Sequence, residues 1–116
     1  MVLSLLAARE ILSALTVKAS VQAAPSCYEW MTEMGALVLV VEARQETTAS
    51  LRVQIKLPTA GQVELNADGH RALSERSEAG SVSVELTDLQ VGQICDLVVN
   101  LGSSDRVVFS IILEDG

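Results

Sequence analysis

The seven residues Leu51-Arg52-Val53-Gln54-Ile55-Lys56-Leu57 alternate apolar and polar side chains without interruption. Since successive side chains of a β-strand point to opposite faces of a sheet, this alternation predicts a strand with one buried face and one face in water. Pro58 follows at once and ends the run, because proline has no N–H to donate to a sheet. The chain therefore contains at least one strand of a sheet that covers an apolar core.

Similar patterns recur along most of the chain, separated by segments rich in Gly, Ser, Asp and Asn. The segments with strand character are 16–23, 36–43, 62–65, 82–86, 94–101 and 106–113. The almost continuous apolar run Ala36–Ala43 predicts a central strand that is buried on both faces. Together these segments predict a mainly β fold, an antiparallel β-sandwich of about six to seven strands with a short N-terminal helix.

Two segments between the predicted strands are expected to be loops. Residues 25–34, which contain Trp30, predict a loop with a helical turn, whereas the polar residues 66–80 predict a long surface loop. Trp30 is the only tryptophan, and two interpretations remain open for it. It either closes one end of the core or is an exposed anchor for a partner protein.

The N-terminal segment has the composition of an amphipathic helix. Residues 3–14 are rich in strong helix formers, and Leu5, Leu12 and Leu15 belong to a wide apolar face. Such a face must be buried, so we expect the helix to pack either on the sheet of its own chain or in the groove of a partner.

Length and charge limit the classes of function. The 116 residues correspond to one domain, with the helix and first strand in 1–24 and the sandwich core in 36–113. Eight basic and fifteen acidic residues give a net charge of −7, which disfavours binding to nucleic acid and to anionic membranes. No apolar run is long enough to span a bilayer. A soluble protein is expected, and the cytoplasm is slightly favoured over other compartments.

Residues for catalysis are sparse, and no cofactor motif is present. His70 is the only histidine, and it lies in a polar segment without a nucleophile motif. We therefore predict that the protein is not an enzyme, and a small enzyme of unknown reaction that uses His70 is kept as an alternative. Cys27 and Cys95 are far apart in sequence and form either two free thiols or a disulfide.

The first alternative to an interaction module, ahead of an enzyme, is an ion-binding module. Within residues 64–75, Glu64, Asn66, Asp68 and Glu75 occupy the first, third, fifth and twelfth positions of a calcium-binding loop, with a glycine at the sixth. Oxygen ligands at this spacing, around a sharp glycine turn, are typical of sites for a hard cation. The sequence before this segment does not form the entering helix of such a site, and an Asp-Gly turn in a charged loop is the competing interpretation.

The segment from Leu51 to Leu113 resembles the accessory β-sandwich that lies beside the A domain in many von Willebrand factor A-domain proteins. The residues that carry the resemblance are 51–57, 84–93 and 97–101. Thr87 and Gln93 stand where such sandwiches often have the Gly and Glu of their turns. The resemblance implies an adhesive or scaffolding role and no catalytic residue.

These observations predict a non-catalytic protein-interaction or structural module, which can be a subunit of a larger assembly. The expected partner is another protein or a second copy of the chain. The residues predicted to bind it are Leu5, Leu12, Leu15 and Trp30.

Overall fold

The computed structural model describes residues 15–102 and 105–115, and β-strands form most of this part of the chain. Its nine strands are β1 (Leu15–Ser20), β2 (Ser26–Thr32), β3 (Gly35–Gln45), β4 (Ala49–Leu57), β5 (Gly61–Ala67), β6 (His70–Arg76), β7 (Gly80–Leu89), β8 (Ile94–Leu101) and β9 (Asp105–Glu114). The prediction of a mainly β fold is confirmed. The predicted helix over 3–14 lies outside the described residues.

The strands form two sheets. The five-stranded sheet has the order β1-β9-β8-β5-β6, and the four-stranded sheet has the order β2-β3-β4-β7. Neighbouring strands are antiparallel except β1 and β9, which are parallel over the whole of β1. Buried side chains of both sheets form one apolar cluster, in which Trp30 of β2 meets Phe109 of β9 edge to face, with 6.3 Å between ring centroids.

Alternation within each strand explains which residues enter this cluster. In β4 the apolar residues Leu51, Val53 and Ile55 are fully buried, while the polar residues between them are exposed. Val53 pairs with Val84 of β7, so apolar side chains meet across the strands on the inner face. The buried core is aliphatic apart from two aromatic rings, those of Trp30 and Phe109.

One of the two strands that the sequence pattern missed is β2. Its residues Ser26–Thr32 pair with β3 along their full length, and a two-residue turn at Glu33–Met34 joins the two strands. The Thr32 hydroxyl donates a hydrogen bond of 2.7 Å to the carbonyl of Gly35 and accepts one of 3.1 Å from the Met34 N–H. The prediction of a loop over 25–34 is wrong, because pairing with an apolar neighbour outweighs the mixed composition of this segment.

The other missed strand is β6, which lies in the segment predicted as a long loop. Asp68 and Gly69 form a two-residue turn in which both residues have positive φ, 46° and 92°, as a type I′ hairpin turn requires. Strands β5 and β6 pair along their whole length, from Ala67 opposite His70 beside the turn to Gly61 opposite Arg76 at the other end. The loop prediction for 66–80 is therefore wrong. An edge strand tolerates this polar composition because most of its side chains face water.

The placement of β3 confirms one prediction and corrects another. The strand lies between β2 and β4, as its apolar run predicted. However, only its inner face is buried, at Leu37, Leu39, Val41 and Ala43, while the alternate residues are half-buried. In residues 15–102 and 105–115, no helix is both long and apolar enough to cross a membrane.

Candidate interaction surface

The outer face of the four-stranded sheet carries a contiguous apolar stripe. It consists of the outward residues of β2 and β3 that have apolar or thiol side chains, and we call these residues the outer stripe: Cys27, Met31, Ala36, Val38 and Val40. Met31 is 51% exposed and Cys27 is also exposed. Because this set lies on one face of two paired strands, it forms a single surface and not scattered apolar residues.

Strand register fixes the arrangement of the outer stripe. Met31 lies opposite Ala36, and Cys27 lies opposite Val40, so each of these pairs brings two of the stripe's side chains together. Val38 lies between the two pairs and is opposite Glu29. Opposite residues on one face have Cβ atoms about 5 Å apart, so the stripe is continuous along β3 and interrupted on β2 by one carboxylate.

The charges beside the outer stripe are almost balanced. The charged residues that the strands place on the outer face of this sheet are four acids and three bases: Glu29, Glu42, Glu85, Asp88, Arg44, Arg52 and Lys56. Glu42 forms an ion pair of 3.3 Å with Arg44, and Arg52 lies opposite Glu42 on β4. The acids and bases of this face therefore almost cancel, although the whole chain has a net charge of −7. A partner of either sign meets little net charge on this face.

The outer face of the five-stranded sheet has no apolar stripe like that of the four-stranded sheet among its described residues. Ile94 and Leu73 are 57% and 50% exposed, but they lie on strands that β5 separates. Leu73 lies opposite Glu64, which forms an ion pair with Arg71. Val98, in the middle of this face, is only 7% exposed because its neighbours cover it. Charged side chains thus divide the apolar residues of this sheet into separate sites.

The residues predicted to bind calcium lie along the β5–β6 hairpin and do not surround one point. Glu64 and Asn66 are on β5, Asp68 is in the turn, and Glu75 is near the far end of β6. Glu75 comes six positions after Gly69 of the turn, which is a distance of about 20 Å along β6. In residues 15–102 and 105–115, no group of three or more His, Cys, Asp or Glu side chains could hold a metal ion.

His70 begins β6 and lines an open cleft of about 430 Å³ at one end of the sandwich. Asp68, Asp88 and the β7–β8 turn line the same cleft, so two carboxylates share it with the imidazole. All three side chains are exposed. The cleft is therefore an open surface groove and not an enclosed site.

Trp30 occupies a core position. Its side chain is 8% exposed and contacts Phe109 across the two sheets, so it cannot act as an exposed anchor without leaving the core. Of the two interpretations of Trp30, the structure favours the one in which the ring fills the core.

Of the other residues predicted to bind a partner, Leu15 begins β1, and Leu5 and Leu12 lie outside the described residues.

The two cysteines are free and occupy different environments. Cys27 is exposed on β2, whereas Cys95 is fully buried on β8 of the other sheet. Burial, together with the neighbouring carboxylate of Asp96, raises the pKa of the Cys95 thiol from 9.0 to about 11. Cys95 therefore stays protonated at neutral pH, whereas Cys27 is accessible to thiol reagents.

The signal for the outer stripe was present in the apolar run of β3. A strand of a two-layer sandwich has only one face toward the core, so a run of apolar residues leaves every second one outside. Ala36, Val38 and Val40 are the residues of this run that point away from the core. In a fold of three layers, a second layer would cover them, and the strand would be buried on both faces.

Comparisons with protein-family models, with curated proteins and with solved structures found no match to this chain.

Proposed function

We propose that this chain is a non-catalytic protein-interaction module that binds its partner with the outer stripe. The observation that carries the proposal is the apolar surface on β2 and β3, in which Met31 and Cys27 are exposed and Ala36, Val38 and Val40 are half-buried. Burying such a surface stabilises a complex by about 25 cal/mol for each Å² of apolar area removed from water. Exposed patches of this kind are typical of surfaces that bind other proteins.

Two features of the sequence support the same role. The resemblance of Leu51–Leu113 to the accessory sandwich of von Willebrand factor A-domain proteins implies a scaffold that holds other protein surfaces. The N-terminal segment, with Leu5 and Leu12 on its predicted apolar face, offers a second apolar element for the same partner.

A pair of substitutions on one row of the sheet tests the proposal. Val40 and Gln54 lie opposite each other on β3 and β4, and Val40 belongs to the outer stripe whereas Gln54 does not. We expect Val40→Lys to weaken binding of an isolated, co-purified partner at least tenfold, since a buried lysine ammonium loses its hydration. Gln54→Lys places the same charge beside the stripe and should leave the affinity for the partner within about twofold of the parent's.

Binding is measured by titration calorimetry with the partner first identified by co-purification from the native source, and thermal melts confirm that both variants fold. Equal affinities of the two variants would refute the outer stripe as the binding surface. Loss of binding in both variants would also refute it, because the effect would then follow charge on the whole face.

A further inference from the structure

Sulfur-containing side chains are distributed unevenly over the described part of the chain. The structure describes both cysteines and two of the three methionines, Met31 and Met34. Cys95 is fully buried on β8, whereas Cys27, Met31 and Met34 are exposed. These three residues lie on β2 and in the turn that follows it. The accessible sulfur atoms of the described residues are therefore concentrated at one border of the four-stranded sheet.

Met31 is accessible because little of the sheet covers its thioether. Ala36 lies opposite Met31 on β3, and its methyl group covers only a small part of a methionine side chain. β2 borders the sheet, so no strand of the described part of the chain lies on its other side. Met31 is the most exposed of the large apolar residues of the outer stripe. A chemical change at its sulfur therefore alters the stripe at its most accessible large side chain.

A thioether reacts with peroxides at its sulfur atom. A lone pair of the sulfur forms an S–O bond to one peroxide oxygen, the O–O bond breaks, and the other oxygen takes up a proton and leaves as water. The sulfur is oxidised by two electrons and the peroxide is reduced by two. The product, methionine sulfoxide, is polar, and methionine sulfoxide reductases return it to the thioether with a thiol as the electron donor.

We propose that Met31 is a site of reversible oxidation by peroxides and that its sulfoxide weakens binding of the partner to the outer stripe. The sulfoxide oxygen needs hydrogen bonds that an apolar partner surface does not supply, so its burial in the complex is unfavourable. The effect on the partner rests on the proposed function, whereas the oxidation of Met31 itself does not.

Met34 provides a comparison within the same chain. It is 47% exposed, close to the 51% of Met31, but it lies in the turn between β2 and β3. A Cβ atom on Gly102 would lie 3.6 Å from the Met34 Cε, which places the Met34 side chain at the end of the sandwich and outside the outer stripe. Peroxide should therefore oxidise both methionines, while only the sulfoxide of Met31 interrupts the stripe.

The first experiment maps the oxidation without a partner. The full chain with Cys27→Ala, which removes the competing exposed thiol, is treated with hydrogen peroxide in buffer and in urea. Peptide mass spectrometry measures the rate at each methionine, and we expect the rate at Met31 in the folded chain to lie within about threefold of the rate in urea. Methionine sulfoxide reductases should then restore the thioether. A slower rate at Met31 in the folded chain, or a sulfoxide that the reductases do not reduce, would overturn the proposal.

The second experiment compares two matched variants, Met34→Leu and Met31→Leu, each of which leaves one oxidisable methionine in the β2–β3 hairpin. Both carry Cys27→Ala and both contain Met1, so neither of these residues can explain a difference between them. Titration calorimetry with the co-purified partner measures each variant before and after treatment with peroxide. We expect oxidation to weaken binding at least about tenfold in Met34→Leu and less than about twofold in Met31→Leu.

Equal changes of affinity in the two variants would refute the role of Met31. Circular dichroism of the oxidised forms shows whether the strands are retained. An oxidised Met34→Leu chain that has lost its strands would also refute the proposal, because binding would then be lost through unfolding.

These outcomes are distinguishable from a failure of the proposed function. If Val40→Lys weakens binding of the partner and oxidation of Met31 does not, the outer stripe stays the binding surface and the effect of oxidation on it is refuted. If Val40→Lys has no effect and Met31 of the folded chain is oxidised and reduced as expected, the modification site stands and the stripe is removed as the binding surface.

Discussion

The single buried thiol of Cys95 links the stability of the fold to pH. Its pKa is 9.0 in an unfolded chain and about 11 in the folded protein, because burial and Asp96 both oppose the thiolate. Between these two values the unfolded state binds fewer protons than the folded state, so the free energy of unfolding falls as pH rises. The contribution is complete below pH 9.0 and is lost as pH approaches about 11.

We therefore expect Cys95→Ala to make the free energy of unfolding depend less on pH across this interval. At neutral pH the variant is less stable than the parent, since it leaves a small cavity in the core. Cys27→Ala is the matched control, because Cys27 is exposed. Urea unfolding at neutral pH and at several values between 9.0 and about 11 measures the difference. If the free energy of unfolding falls equally with pH in the parent and in Cys95→Ala, the pH dependence does not come from the Cys95 thiol.

At the scale of single elements, residues 64–75, which the ion-binding alternative assigns to calcium, belong to the β5–β6 hairpin. Glu64 is engaged by Arg71, and Glu75 lies far along β6 from the Asp68–Gly69 turn. We expect millimolar calcium to leave the melting temperature unchanged, because a ligand stabilises the folded state only if the folded state binds it. Differential scanning fluorimetry with calcium, and with magnesium as the control, checks this. A melting temperature that rises with calcium and not in Asp68→Ala would restore the calcium site.

The elements that could be predicted from the sequence are those whose own side chains alternate. In β4 and β8, inward residues such as Val53 and Leu97 are apolar, and the pattern identifies these strands without knowledge of their neighbours. β2 and β6 were missed because their pairing depends on β3 and β5, which the local composition of 25–34 and 66–80 does not reveal. Strand propensity reflects packing against neighbours more than an intrinsic preference of the backbone.

The candidate site could likewise be predicted from the sequence only in part, because it depends on how the strands pair and pack. Apolar residues at 36, 38 and 40 were visible in the sequence, but their exposure depends on the number of layers in the fold. Met31 joins them only because β2 pairs with β3 in the register that sets Met31 opposite Ala36. The parallel pairing of β1 with β9 also arises between residues far apart in the chain, and no local pattern predicts it.

At the scale of the whole molecule, the described strands form a core that is continuous through both sheets. The core includes residues from Val17 on β1 to Leu113 on β9, and its side chains are almost all less than one-tenth exposed. Burial of these side chains between the two sheets stabilises the nine strands. Residues 1–14, with Leu5 and Leu12, lie outside the described part of the chain, and the sequence predicts that their apolar face packs either on the sheet of its own chain or on a partner.

A deletion of residues 1–14 separates these two alternatives, and we predict that it weakens assembly more than it unfolds the strands. We expect the shortened chain to keep the β-sheet signal in circular dichroism and a cooperative melt within about 5 °C of the parent, a change of at most about 1 kcal/mol. Binding of the co-purified partner should weaken at least tenfold. Leu5→Asp with Leu12→Asp is the matched variant, because it removes the apolar face and keeps the chain length. A shortened chain without β-sheet signal would show that the N-terminal segment belongs to the core and not to a binding surface.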